Sequence, residues 1–174
     1  AEKFINIKCR KSGLKPSCIV IVATIRALKM HGGLDKHQLK KENMSALIKG
    51  MINLERHINN MKKFGVPVTV AINKFVNDTR KEENAVIDFC KSMGIKANLC
   101  THWSEGGKGT RELAKTVVKL SSKKNNKFKY LYDSKLPLFK KIEKIAIELY
   151  KASEVVADTK IRNQLKEFET MGYR

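Results

Sequence analysis

The chain has 174 residues, 42% of them hydrophobic, with 36 basic side chains against 17 acidic ones and a formal net charge of +19. That length fits one domain able to bury roughly two thirds of its unfolded surface, so a core without staples is within reach. No apolar run is long enough to span a bilayer, and Ala1-Glu2-Lys3-Phe4 lacks signal-peptide architecture. The cysteines at 9, 18, 90 and 100 form no CxxC pair, which sets aside membrane, zinc-ribbon and dithiol-redox classes.

The first residue is not Met, as expected of a chain that begins within a longer protein or after processing. Cys18, Cys90 and Cys100 lie in apolar contexts and read as small buried hydrophobes, in keeping with a reduced, cytoplasmic setting. A +19 field attracts phosphates, nucleic acid or an anionic surface. The excess is mostly Lys spread along helix faces rather than blocked, so compositional bias accounts for it at least as well as a nucleic-acid role.

In chain order, Cys18–Thr24 is a continuous β-branched apolar run, expected to be a strand buried on both faces of a parallel sheet. A short helix, Ile25 to His31, should follow and close at Gly32-Gly33. Between Asn43 and Phe64, Leu47, Met51, Leu54, Ile58 and Met61 repeat at alternating spacings of four and three, one stripe of a core-facing helix. Asn43 or Ser45 is its expected cap and Gly65 its end.

Val66–Ile72 reads as a second strand. Asp78-Thr79 then opens a helix with Ala85, Val86, Phe89, Cys90 and Met93 inward, ended by Gly94. Ile95–Cys100 is a third strand, followed by a glycine-rich turn and a helix from Thr110 to about Ser121. Three successive βα units predict an α/β fold: a mostly parallel sheet flanked by helices, three-layered in the manner of P-loop NTPases and Rossmann folds. Residues 121–126 are a polar loop. Lys127–Tyr132 offers a fourth, edge-like strand. Two C-terminal helices carry stripes at Phe139, Ile142, Ile145 and Leu149, and at Ile161, Leu165, Phe168 and Met171. The whole of 1–174 is expected to be a single α/β domain.

Ligands of such sheets bind beyond the carboxyl ends of the strands. The loop after the second strand, Asn73-Lys74-Phe75-Val76-Asn77-Asp78-Thr79, sets an aromatic among polar residues. Phe75 there is either a lid on the core or a stacking surface, and Asp78 has a helix cap available to it. The loop after the third strand, Thr101 to Thr110, carries the only Trp of the chain, Trp103, ahead of Gly106-Gly107-Lys108-Gly109. Glycines there let backbone approach a ligand closely. The loop is not GxxxxGK[ST], because Gly109 separates Lys108 from Thr110, and no other stretch matches. His31 ends a helix, where a cation complements the dipole. His37 and His57 read as surface residues. Four scattered His predict no metal site. Cys100 and His102 do not make a convincing catalytic pair, and catalytic residues stay unassigned.

Longer segments are more specific than these motifs. Lys8-Cys-Arg-Lys-Ser-Gly-Leu-Lys-Pro16, Val22-Ala-Thr-Ile-Arg-Ala-Leu-Lys-Met-His-Gly-Gly33, Phe64-Gly-Val-Pro-Val-Thr-Val-Ala-Ile-Asn-Lys-Phe75, Asp78-Thr79, Thr101-His-Trp-Ser-Glu-Gly-Gly-Lys-Gly109, Lys127–Asp133 and Gly172-Tyr173 together resemble formate–tetrahydrofolate ligase, from end to end and in order. The family enzyme is much longer. The resemblance implies ATP-dependent activation of formate as formyl phosphate and transfer of the formyl group to tetrahydrofolate, with Mg, in one-carbon metabolism. It implies that Phe75 and Trp103 sandwich the folate ring, and that the nucleotide base lies near Asn73, Ser104, Gly106 and Gly107. It also implies that the phosphate loop belongs upstream, so that this chain alone is inactive and is partnered by an N-terminal ligase half or by further copies of itself. The alternative is a basic, non-enzymatic module that reuses the fold, possibly to bind nucleic acid; a membrane role is not expected. Val76, Lys11 and Lys151 stand where relatives often carry Pro, an aromatic residue and Gly. Arg10 and His31 lie in family-like segments without an assigned role.

Overall fold

The computed structural model describes residues 2–122 and 127–173. A π-helical stretch, Lys3–Cys9, runs into a short helix α1 (Arg10–Ser12). Then come β1 (Ile19–Ala23), α2 (Ile25–His31), a 3-10 turn at Lys36–Gln38, α3 (Met44–Lys62), β2 (Val68–Asn73), α4 (Arg80–Ser92) and β3 (Ala97–Cys100). They are followed by α5 (His102–Glu105), a 3-10 stretch at Gly106–Thr110, α6 (Arg111–Ser121), α7 (Leu138–Tyr150) and α8 (Thr159–Thr170). The chain divides into two compact units, Pro16–Lys127 and the pair Ala1–Lys15 with Phe128–Arg174.

The larger unit is an α/β sheet layer flanked by helices. Its strands are parallel in the order β1-β2-β3, with Ala23 beside Ile72 and Asn73 beside Cys100. The α3 stripe expected from the sequence is the core: Leu47, Met51, Leu54, Ile58 and Met61 are all buried. Asn43 caps that helix through its side-chain oxygen on the Ala46 N–H, 2.9 Å.

Helices α2 and α3 touch backbone to backbone. A Cβ on Gly32 would run into the Ala46 carbonyl, and one on Gly50 into the Leu28 carbonyl. Gly32 is therefore a packing residue, and the turn that closes α2 belongs to Gly33 at φ +94. Gly50 sits mid-helix, where glycine costs about 1 kcal/mol against Ala in propensity; the close approach offsets that.

Strand β2 is covered on both faces, every residue from Val68 to Ile72 being buried. The expectation of two covered faces fails for β1. Val20 and Val22 are exposed, Val22 at 62%, while Ile21 and Ala23 turn inward. The physical reason lies in α6, which packs on β2 and β3. Its Thr116 hydroxyl donates to Asn98 Oδ1 at 2.9 Å, and Asn98 donates to the Thr69 hydroxyl at 3.1 Å. By register Val20 and Val22 share the face of Thr69 and Ala71. α6 covers that face over β2 and β3 and leaves it open over β1.

In the smaller unit no strand forms over Lys127–Tyr132. Side chains take the backbone groups a ladder would use. Leu131 N–H donates to Asn6 Oδ1 at 3.1 Å, and the Tyr132 carbonyl accepts from the Arg10 guanidinium at 2.5 Å. Arg10 also lies over the rings of Tyr130 and Tyr132, at 4.0 and 5.1 Å. The stripes of α7 and α8 are less covered than that of α3: Leu149 is buried, but Ile142, Ile161, Phe168 and Met171 are exposed. Residues 123–126 of the expected polar loop lie outside the described residues.

Candidate functional site

The carboxyl ends of β2 and β3 lie side by side, and the ladder continues one step further through Lys74 N–H to the Cys100 carbonyl, 3.0 Å. The loops carrying Phe75 and Trp103 therefore leave the sheet as neighbours. The two are built differently.

The Phe75 loop is tied from below. The Phe75 N–H donates to Asp78 Oδ2 at 2.8 Å, and the Asp78 N–H returns a bond to the Phe75 carbonyl at 3.0 Å. Asp78 thus closes the turn and does not cap the helix. The N-cap of α4 is Thr79, which forms a reciprocal capping box with Glu82. Burial pushes the Asp78 carboxyl up; the Phe75 N–H pulls against it, and the charge of Glu82 adds to the rise.

Beneath the loop, Glu82 and Lys29 form an ion pair at 2.9 Å with both side chains fully buried. Lys29 also donates to the Lys41 carbonyl at 2.8 Å, and Glu82 accepts from the N–H groups of Asn43 and Thr79. Burial by itself would raise the Glu82 carboxyl. The Lys29 hydrogen bond and the two backbone donors outweigh it and hold the carboxyl below its ordinary value. Lys74 is drawn sideways to the buried Glu83, 2.7 Å, so its ammonium is tethered to α4. Phe75 itself is half-buried, with the Arg26 guanidinium 5.1 Å from its ring centroid, and Val76 beside it is fully in solvent.

The Trp103 loop is open. Trp103 is 80% exposed, on the single turn of α5. Ser104, Gly106 and Gly107 are exposed as well. The loop holds itself by local bonds: Thr101 Oγ1 to Glu105 at 2.6 Å, Ser104 N–H to the Thr101 carbonyl at 3.1 Å, and Thr101 N–H to the Gly109 carbonyl at 3.1 Å. Gly109 is pressed against Thr101, where a Cβ would come within 2.5 Å of the carbonyl carbon. Gly107 faces open space. Asn73 ends β2, half-buried, on the side of the sheet from which both loops spring.

Among the described residues no group of three His, Cys, Asp or Glu side chains could hold a metal ion. The Cys100 thiol donates to the Asn98 carbonyl at 3.6 Å, and burial pushes its pKa up, which disfavours the thiolate. Cys90 is pushed up to about 11 for the same reason. His31 lies at the exposed end of α2 and, with His57, Thr24 and Asn53, lines a shallow cavity of about 210 Å³ beside β1.

Sequence reasoning missed the Lys29–Glu82 pair, the turn role of Asp78 and the approach of Arg26 to Phe75. The Thr79-x-x-Glu82 spacing was a readable signal for the capping box. Nothing local signals the Lys29–Glu82 pair or the approach of Arg26 to Phe75, because the partners lie on different elements.

These features define an α/β domain with paired loops at the carboxyl edge of a parallel sheet, one loop tied and one open, each carrying an aromatic side chain. The model of the formate–tetrahydrofolate ligase family matches residues 1–174, and the chain belongs to that family. The formate–tetrahydrofolate ligase of Pelagibacter ubique is 65% identical over 173 residues, which are 99% of this chain and 31% of that protein. Those of Sinorhizobium fredii and Ruegeria pomeroyi are each 54% identical, over 99% and 100% of this chain and 31% of each relative. The chain thus spans about a third of the length of the curated relatives it matches. Among the described residues no helix is long and apolar enough to cross a membrane.

Proposed function

We propose that this chain supplies the folate-stacking part of an ATP-dependent formate–tetrahydrofolate ligase. Phe75 and Trp103 take the flat ring of tetrahydrofolate between them, and Asn73 with Ser104, Gly106 and Gly107 meets the base end of the nucleotide. The observation that carries the reading is the pair of solvent-accessible aromatics on adjacent loops at the carboxyl ends of neighbouring parallel strands. Offset stacking adds roughly 1 kcal/mol per aromatic pair beyond area burial, and it suits a planar heterocycle. A Cβ-free Gly107 facing open space suits a ligand that comes close to backbone.

The ATP phosphates and their Mg need amides, a Lys and oxygen ligands that this sequence does not offer in a recognisable loop. We therefore assign none of its residues to them. Formyl-group transfer then requires further protein, either an N-terminal ligase segment or other subunits. A reducing, cytoplasmic setting suits the four free cysteines.

The test uses Trp103 as its own reporter. Titration with tetrahydrofolate should quench its fluorescence saturably, and Phe75→Ala should weaken binding at least tenfold. A folded chain that shows no saturable quenching overturns the folate reading; salt-dependent binding of a generic RNA by the same sample would then favour the charge-driven alternative. Formation of 10-formyltetrahydrofolate by the chain alone from ATP, formate and tetrahydrofolate would overturn its dependence on further protein.

A further inference from the structure

We infer that Arg26 is a specificity-determining residue of the folate site and reads the carbonyl-bearing edge of the stacked ring; this rests on the folate reading above. Arg26 stands in the first turn of α2, just past the carboxyl end of β1, and Ala23 pairs with Ile72, so its side chain rises next to the loop that follows β2. Its guanidinium carbon lies 5.1 Å from the centroid of the Phe75 ring.

The neighbouring carboxylates are committed elsewhere. Asp78 is held by the Phe75 N–H, Glu82 by Lys29 and Glu83 by Lys74. Among the described residues Arg26 has no ion pair and no hydrogen-bond acceptor, and its guanidinium lies over the Phe75 ring. A half-exposed guanidinium therefore carries five N–H donors in a fixed fork with nothing to receive them. Its position in a first helical turn is also the one a helix dipole disfavours for a cation, so helix stability does not explain it.

A planar cation beside an aromatic face is at once a stacking wall and a directed donor. A heterocycle that stacks on Phe75 would share the ring with that guanidinium, which sets the fork against the heterocycle's edge. The ring carbonyl of a reduced pterin is the acceptor that suits it. The glutamyl carboxylates of folate lie beyond the aminobenzoyl spacer and are too distant from a guanidinium placed against this ring.

The experiment compares two ligands on the same chain by Trp103 fluorescence: tetrahydrofolate, and its tetrahydro analogue with an amino group in place of the ring carbonyl. Arg26→Gln should weaken tetrahydrofolate about tenfold, the loss of one charge-assisted hydrogen bond, and the amino analogue less than threefold. Arg26→Lys, which keeps the charge without the fork, should show the same selectivity at smaller size, and it carries the comparison if Arg26→Gln does not fold. An equal loss for both ligands would reduce Arg26 to a support for the Phe75 ring and overturn the inference, as would no loss for either. Wild-type chain that binds neither ligand brings down the folate reading and this inference together.

Discussion

The two loops that carry the aromatics solve the same placement problem in opposite ways. The Phe75 loop is fastened through Asp78 to its own turn, through Lys74 to Glu83, and through Thr79 to a buried ion pair that links α2 and α4. The Trp103 loop leans on a few bonds within itself and presents its ring to solvent. One wall of the proposed stacking site is preorganised and the other is left to adapt. Preorganising one side lowers the ordering cost of binding, and an open second side leaves room for a planar ligand.

The sharpest way to break that contrast is Lys29→Met. It leaves the fully buried Glu82 carboxylate without its cation and should cost about 3–5 kcal/mol of stability in denaturant unfolding. Adding Glu82→Leu should recover much of that loss. The pair also sets an acid limit. The folded Glu82 titrates below its ordinary 4.5, so its stabilisation is complete above that value and is lost as the pH falls through the folded-state pKa. Wild type should therefore lose stability below about pH 4.5 more steeply than the double variant.

Gly109→Ala should disturb the open loop, because the new methyl meets the Thr101 backbone; the expected loss is about 1–3 kcal/mol with a shifted Trp103 emission. Gly107→Ala, facing open space, should stay within about 0.5 kcal/mol of wild type in melting experiments. If it nevertheless lowers ATP affinity, the nucleotide comes close to that backbone.

Asp78→Ala removes the acceptor of the Phe75 N–H and should cost about 1 kcal/mol. Tetrahydrofolate affinity should fall with it while the Trp103 emission of the free chain stays put; a shifted free-chain emission would show that the loops are not independent. The smallest effect lies outside both loops. Lys151, at φ 62, takes the left-handed turn that ends α7, a conformation that favours Gly. Lys151→Gly should stabilise by about 0.5 kcal/mol in thermal unfolding, once the extra freedom of the unfolded glycine is subtracted.

Much of the sheet unit was legible because its signals are local and periodic. The α3 stripe, the apolar run of β2 and the glycines that end helices each state their role within a few residues. The strand expected over Lys127–Tyr132 failed because its alternation was real but its backbone partners are Asn6 and Arg10, more than a hundred residues away in the chain. The two exposed valines of β1 were misread for a related reason: a β-branched run marks a strand but does not say which helix covers it.

The sequence by itself determined the α/β class, the parallel order of three βα units, the family and the two aromatic loops, since short-range periodicity and long ordered matches are properties of the chain. The tertiary structure alone decided which residues hold those loops. Lys29 reaches Glu82 across 53 positions, and Arg26 reaches Phe75 across 49 (82 − 29 and 75 − 26). Whether a charge is buried and paired, or exposed with donors to spare, depends on what the fold brings beside it, and no window of sequence contains both partners.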